Sequence, residues 1–169
     1  MKALLIEYAT YNLWANEAVS DSMNALSHDQ HHAQVKSSFD SLYKTVFHVW
    51  GAEKLWWQRL HKEKNITAPS DHFSGSMKEL TLAWKRQDEA FLNWVTLVDE
   101  SVLKENLYYK NLKGNEFDMP LYQILLHICN HSTYHRGQII TMMREVGAED
   151  IPSTDFILWA ILKTRIGTK

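Results

Sequence analysis

The sequence predicts an all-α protein, built as an up-down four-helix bundle with a short C-terminal helix and a candidate small hairpin before the fourth long helix. Two observations support this fold class. Only six glycines and three prolines interrupt 169 residues, and few such breaks favour long helices. Apolar residues also recur at intervals of three and four in four long segments, which is the period of an amphipathic helix. Four such helices joined by modest loops can bury one core, so we expect a single domain covering residues 1–169.

The first helix is predicted from the N-terminus to about Leu26. The segment Ser27–Gln30 then has the pattern of a capping box, so a short turn of helix follows it. The second long helix is predicted from about Ser37 to His61, and the third from about Met77 to Asp99. Between them, Asn65–Gly75 contains a proline and a glycine and is predicted as a loop.

The C-terminal half begins with the candidate hairpin, from Leu107 to Met119, which turns around a glycine. A two-stranded ribbon is marginal alone, so we expect it to lie against the helices. Pro120 suits the first turn of the fourth helix, and Gly147 suits its end. A last short helix is predicted from Phe156 to about Ile166.

Composition and charge narrow the class of protein. Apolar residues make up 45% of the chain and charged residues 22%, which excludes a disordered or collagen-like chain. The net charge is -2, whereas nucleic-acid binders usually carry a basic excess. No segment approaches the roughly 18 apolar residues that a membrane helix needs, and the first apolar run is too short for a signal peptide. We therefore expect a cytoplasmic protein with no nucleic-acid partner and no membrane partner.

The nine histidines are the most unusual feature of the composition, because imidazole is the commonest metal ligand in proteins. His127, His131 and His135 follow one another at intervals of four on the fourth helix. Two imidazoles four residues apart can bind one ion, but the first and third of this set lie about 12 Å apart along the helix axis. The helix therefore offers one chelating pair, either His127 with His131 or His131 with His135. The third ligand must come from a facing helix.

His48 is the candidate third ligand. It lies in the middle of the second long helix, and its neighbours on the same stripe allow it to face the bundle. Three neutral nitrogens suit a divalent transition metal and leave positions for water or a substrate. Zn and Ni are the leading ions, with Fe, Mn or Cu as others. The alternative is that the histidines only pack in the core and bind no metal.

Other side chains with chemical potential are weaker candidates. Glu53 lies about 140° around the helix from His48, so it is a poor general base. Cys129 lies about 160° around its helix from His131 and is expected to be a small packed side chain. The remaining histidines lie in polar or charged segments and are predicted to be exposed; they are His28, His31, His32, His61 and His72.

The segment His131–Gln138 contains the pattern HxxxHRGQ, and it resembles the signature of the DinB-like family of bacterial metal-binding four-helix proteins. Tyr11–Asn16 resembles the first-helix pattern of that family, and Phe47–Glu53 resembles its segment around the first metal ligand. Thr154–Asp155, before the last helix, is also similar. These matches span nearly the whole chain in the family's order.

The resemblance implies a four-helix bundle that is often a homodimer and that holds a divalent metal with three histidines. The matching residues here are His48, His131 and His135, so the resemblance selects the second chelating pair and leaves His127 as a neighbour. It also suggests Asp155 as an acceptor for an imidazole N–H. The family label refers to induction by DNA damage, which describes expression and not DNA binding.

Two functions follow from this resemblance. The first is a metal-dependent enzyme acting on a small molecule, as a thiol S-transferase or a hydrolase, since relatives include both types and such an ion activates water or a thiol. The alternative is a non-catalytic metal-binding protein with a role in stress response or protein interaction.

Overall fold

Six α-helices and one two-stranded sheet account for most of the chain in a computed structural model, which describes residues 1–69, 72–111 and 113–166. The predicted mostly helical bundle with a small hairpin is confirmed. The helices are α1 (Lys2–Asn24), α2 (His28–His32), α3 (Leu42–Leu60), α4 (Met77–Leu97), α5 (Leu121–Glu145) and α6 (Phe156–Ile166), and the strands are β1 (Asn106–Lys110) and β2 (Glu116–Pro120).

The four long helices form a ring in which α1 lies between α4 and α5, and α3 lies between the same two helices on the opposite side. The contacts of α1 with α4 show that these two helices are antiparallel. At one end, Lys2 Nζ donates to the carbonyl of Val98 at 2.6 Å. At the other end, the hydroxyl of Thr81 donates to Asn24 Oδ1 at 3.1 Å.

The helices α3 and α4 run in the same direction. The hydroxyl of Tyr43 donates to the carbonyl of Gly75 near the start of both helices, and Trp84 Nε1 donates to Glu53 Oε2 near the middle of both. The predicted up-down order would make this pair antiparallel, whereas the structure makes it parallel. The connection of residues 61–76 can span about 50 Å when extended, so it is long enough to return along α3, which is about 28 Å long.

The helices α3 and α5 are antiparallel. Near the start of α3 and the end of α5, Thr45 Oγ1 lies 3.3 Å from Met142 Sδ. Near the other ends, the rings of Trp56 and His127 are 5.5 Å apart. The four long helices α1, α3, α4 and α5 therefore run up, down, down and up, and the middle of α3 faces the middle of α5.

The helix ends follow the local capping chemistry. Ser27 and Gln30 form the predicted capping box at the start of α2. The prediction that the second long helix begins at Ser37 was wrong, since α3 begins at Leu42. Ser41 is its N-cap, and the preceding serines favour non-helical backbone because their hydroxyls compete for backbone hydrogen bonds. The other predicted ends of the long helices agree within two residues.

The hairpin is antiparallel and lies against the start of α5. In its turn, Asn111 Oδ1 accepts the backbone N–H groups of Lys113 and Asn115. Gly114 has a φ of 82°, which is the left-handed region that glycine adopts without steric cost. Leu107 on β1 is buried and packs in the core, as expected for a ribbon that is not stable alone.

The core has two apolar ends separated by a polar layer. One apolar cluster contains Leu5, Val95 and Leu125, and the other contains Val19, Trp84 and Met143. The polar layer consists of Asn12, Asn16, Glu53, Asp88, Ser132 and Arg136.

Among the described residues, no helix is both long enough and apolar enough to cross a membrane.

Candidate metal centre

Three histidines meet where the middle of α3 faces the middle of α5. His48 Nε2 lies 3.3 Å from His131 Nε2, and the rings of His48 and His135 are 4.8 Å apart. One ligand atom from each of the three residues lies within 4.8 Å of the other two. The structure therefore brings together the three histidines that the resemblance to the DinB-like family implies as metal ligands.

This group of nitrogens fits a divalent transition metal. Two nitrogens that each bind a tetrahedral ion at about 2.0–2.1 Å are separated by about 3.3 Å. The separation of the His48 and His131 nitrogens is 3.3 Å, so this pair is already spaced for an ion. The set could hold a metal ion with three protein ligands and leave a position for a further ligand.

Gln138 fixes the tautomer of His135. His135 Nδ1 lies 2.7 Å from Gln138 Oε1, and an amide oxygen only accepts hydrogen bonds. The proton of the neutral ring therefore lies on Nδ1, and the lone pair of Nε2 remains free for a ligand bond. Gln138 Nε2 also makes a long hydrogen bond to Ser38 Oγ, at 3.4 Å. Partners of this kind orient metal-binding imidazoles in proteins.

The environment of the three rings keeps them neutral. Phe39 stacks on His48 with ring centres 4.2 Å apart, and His135 is only 5% exposed. Burial lowers the pKa of all three imidazoles. For His131, burial and the neighbouring histidines lower the pKa to about 4. Because imidazole binds a metal only when neutral, these rings are available as ligands at neutral pH.

A cleft of about 600 Å³ opens beside His48. Its volume is in the range of small-molecule sites, which are mostly apolar with few polar groups. Lys44, His48 and Tyr43 supply its charged and titratable side chains among the described residues. The aromatic and other apolar side chains that line it include Phe39, Tyr43, Phe47, Leu55, Pro69 and Phe73.

His127, the member of the alternative pair, lies outside this group. It is exposed, and its ring packs on Trp56 at 5.5 Å and lies 5.7 Å from the ring of His131. Among the described residues, the group of close ligand atoms consists of His48, His131 and His135. The geometry therefore favours His131 with His135 as the pair from α5.

Glu53 and Asp155 do not face the three rings. Glu53 is 4% exposed, and its carboxyl accepts from Trp84 inside the bundle. Burial and the nearby Asp88 carboxyl raise the pKa of Glu53 well above its ordinary value. Asp155 is exposed and accepts from the hydroxyl of Ser153. The interpretation of Asp155 as an acceptor for an imidazole N–H was wrong, because Gln138 takes that place at His135.

The other predicted residues are placed as expected, except that His31 is only partly exposed. Cys129 is buried, and burial raises the pKa of its thiol, so it is a packed side chain and not a nucleophile. His28 and His32 are exposed, with rings 4.6 Å apart, while His31 Nε2 lies 2.8 Å from the carbonyl of Met23. His61 and His72 are exposed.

A polar layer that was not predicted from the sequence lies directly behind the site. Arg136 is 1% exposed, and its Nη1 donates to Asn12 Oδ1 and Asn16 Oδ1 at 2.7 Å and to Ser132 Oγ at 3.2 Å. The Asp88 carboxylate accepts from the amide groups of both asparagines. This network joins α1, α4 and α5 at the level of the histidines. The sequence pattern that could have indicated this layer is the spacing of the two asparagines, which are four residues apart on the first helix.

Comparisons with known proteins point to one family. The model of the DinB family matches residues 1–163 of the chain. Protein DinB from Bacillus subtilis is 26% identical over 159 residues, which cover 90% of this chain and 91% of that protein. This likeness extends over nearly the whole length of both proteins.

Two solved structures have a similar fold. A DinB-like protein from Bacillus subtilis matches with a TM-score of 0.63 and 15% identity, over 88% of this chain and 97% of that protein. A DinB-like protein from Bacillus cereus matches with a TM-score of 0.64 and 17% identity, over 82% of this chain and 89% of that protein. At these identities the likeness supports the helical fold.

Proposed function

The chain belongs to the DinB family, and from that premise we propose that it binds a divalent transition metal through His48, His131 and His135. The observation that carries the proposal is the group of three imidazole nitrogens within 4.8 Å of one another. Nitrogen ligands of this type accept several first-row ions, and Zn and Ni are the leading candidates, with Fe, Mn and Cu as others.

We further propose that the protein is a metal-dependent enzyme that acts on a small molecule, as a thiol S-transferase or a hydrolase. When bound, a three-histidine ion with an open position supplies Lewis-acid chemistry for a thiol or for a carbonyl group. The 600 Å³ cleft beside His48 supports a small-molecule substrate. Aromatic side chains line much of this cleft, and Lys44 on the same surface is paired with Asp40 at 2.7 Å.

Gln138 and the polar layer have supporting roles in this proposal. The hydrogen bond from His135 to Gln138 holds the ring with Nε2 free. The four hydrogen bonds that Arg136 donates to side chains fix the turn of α5 that carries both histidines. The ligands are therefore held in place before an ion binds, which favours tight binding.

The experiment is metal analysis followed by activity assays on protein purified without an affinity tag. We expect about one metal ion per chain, and turnover of either thiol acceptors or simple esters and amides that stops after chelation and returns after the metal is restored. Equal rates with and without metal would contradict a metal-dependent enzyme. The variant H48A is the control for activity from a contaminating protein. If the activity belongs to this site, H48A should lose both its metal and its turnover.

A non-catalytic metal-binding protein is the second candidate. The observation that favours it is the lining of the cleft, which contains no carboxylate among the described residues. General-base catalysis there would therefore depend on the histidines themselves. Full metal occupancy together with no turnover of either substrate class would support this alternative.

A homodimer is proposed as the assembly. The support is α6, which leaves four large apolar side chains exposed: Phe156, Ile157, Ile161 and Leu162. Exposed apolar patches of this kind often mark protein interfaces. Light scattering should give twice the mass of the 19.8 kDa chain, and the variant I157E should give the monomer mass. A monomer for the unaltered protein would contradict the proposal.

A further inference from the structure

A second cleft, of about 570 Å³, lies between the end of α3, the residues that follow it, and β1. It shares no lining residue with the cleft beside His48 among the described residues. Four cationic side chains line it, from Arg59, Lys62, Lys64 and Lys110, against one acidic side chain from Glu63. The whole chain has a net charge of -2, so this local excess of positive charge is unusual for the protein.

Arg59 is the key residue of this cleft. Its guanidinium lies 4.6 Å from the ring centre of Trp56 and 5.3 Å from that of Tyr109. Its Nε is enclosed and has no hydrogen-bond partner among the described residues, and the ion pairs found in the same part of the chain do not include Arg59. The side chain is partly buried, and this burial lowers its pKa.

Such a guanidinium normally has an anionic acceptor. Buried polar groups, such as the enclosed Nε of Arg59, are hydrogen-bonded in the large majority of cases. The fork of N–H donors on arginine matches the two oxygens of a carboxylate or a phosphate. The rings of Trp56 and Tyr109 hold the guanidinium in position, so an anion that enters the cleft would meet oriented N–H donors.

The lysines around Arg59 add to the positive field. Lys62 has a φ of 53°, a left-handed conformation that costs about 1 kcal/mol or more for a residue with a side chain. Lys110 is paired with Glu116 at 3.0 Å, so its charge is partly neutralised. The uncompensated charges facing the cleft are therefore those of Arg59, Lys62 and Lys64, opposed only by Glu63 among the residues that line it.

We propose that this cleft binds a small organic anion, whose carboxylate or phosphate oxygens accept hydrogen bonds from Arg59 and whose apolar part lies against Tyr109 and Ile66. The volume is sufficient for a ligand of this class. The proposal does not depend on the metal site, because the two clefts have separate linings.

The test uses two aromatic anions, benzoate and phenyl phosphate, with neutral benzamide as the control for ring stacking alone. Each is titrated into the metal-loaded, ¹⁵N-labelled protein at constant ionic strength, and the backbone amide signals of residues 59–66 and 106–110 are followed. We expect saturable shifts in these segments with at least one anion, and at least tenfold weaker binding of benzamide. Tighter binding of benzoate identifies a carboxylate site, and tighter binding of phenyl phosphate identifies a phosphate site.

Three variants make the result specific. R59M keeps an unbranched apolar stem against Trp56 and should weaken anion binding at least tenfold, while R59K should give an intermediate loss because it keeps the charge but not the fork. R86M removes the same charge from an exposed position on α4 and should bind as the unaltered protein does. Amide spectra show whether each variant is folded. Unchanged binding by R59M, equal losses in R59M and R86M, or no saturable shift with either anion would overturn the proposal.

Discussion

Replacing Gln138 with leucine tests whether the hydrogen bond to His135 prepares the metal ligand. The substitution keeps a side chain of similar size but removes the oxygen that accepts from His135 Nδ1 at 2.7 Å. Without this partner the ring can rotate and the two neutral tautomers compete. Loss of such a partner typically weakens metal binding about 10- to 100-fold, which corresponds to about 1.4–2.7 kcal/mol.

The fold should tolerate this substitution. Gln138 is partly exposed, and its other hydrogen bond, to Ser38, is long at 3.4 Å. The free energy of unfolding of the metal-free protein should therefore change by less than about 1 kcal/mol. This separation of a large effect on metal binding from a small effect on stability distinguishes a positioning residue from a structural one.

The assay is a competition titration of Zn²⁺ between the protein and a coloured chelator, with urea unfolding of the metal-free protein in parallel. The matched control is Gln123 to leucine, on the same helix, because Gln123 is exposed and its hydrogen-bond partner is the neighbouring Tyr122 hydroxyl. The control should bind Zn²⁺ as the unaltered protein does. Equal affinities for the Gln138 and Gln123 variants would refute the role given to Gln138.

Three further predictions concern the stability of the metal-free protein, each measured by urea unfolding. R136M should lower the free energy of unfolding by about 2–4 kcal/mol, because it takes the Arg136 donor from the buried amide oxygens of Asn12 and Asn16; a loss below about 1 kcal/mol would contradict this. Burial raises the pKa of Glu53 in the folded state, so stability is lost as pH rises above about 4.5. E53Q should make the free energy of unfolding depend less on pH between pH 5 and pH 8. An unchanged pH dependence would contradict this prediction. The pKa of His131 is about 4 when folded and about 6.5 when unfolded, so stability should fall as pH decreases through this window, by about 1–2 kcal/mol after allowance for solvent screening. H131A should remove this part of the loss of stability at low pH. An equally large loss of stability in H131A would show that other groups cause it.

The local features of the fold could be predicted from sequence because they depend on neighbouring residues. The period of α5 places His131 and His135 on one face, and Ser27 with Gln30 marks the start of α2, since both patterns extend over only one helical turn. The start of α3 was placed too early, at Ser37, because apolar periodicity does not show that the serines at 37, 38 and 41 favour non-helical backbone and an N-cap.

The features that depend on distant residues were not predictable in the same way. The parallel arrangement of α3 with α4 depends on the path of residues 61–76, and loop length alone allows either direction. The network of Arg136 with Asn12 and Asn16 joins positions more than a hundred residues apart in the chain. For the ligand partner, the resemblance to the family pointed to Asp155, whereas the structure uses Gln138, one turn from His135 on the same helix.

The most direct test of the central claim is the metal content of three proteins: the unaltered chain, H135A and H127A. Elemental analysis of protein purified without an affinity tag gives the number of ions per chain, and circular dichroism confirms that each variant keeps its helices. We predict about one ion per chain for the unaltered protein and for H127A, and loss of most of the metal from H135A, because His135 lies in the close nitrogen group and His127 does not. Loss of metal from H127A with retention in H135A would contradict the account and would identify His127 and His131 as the ligands from α5.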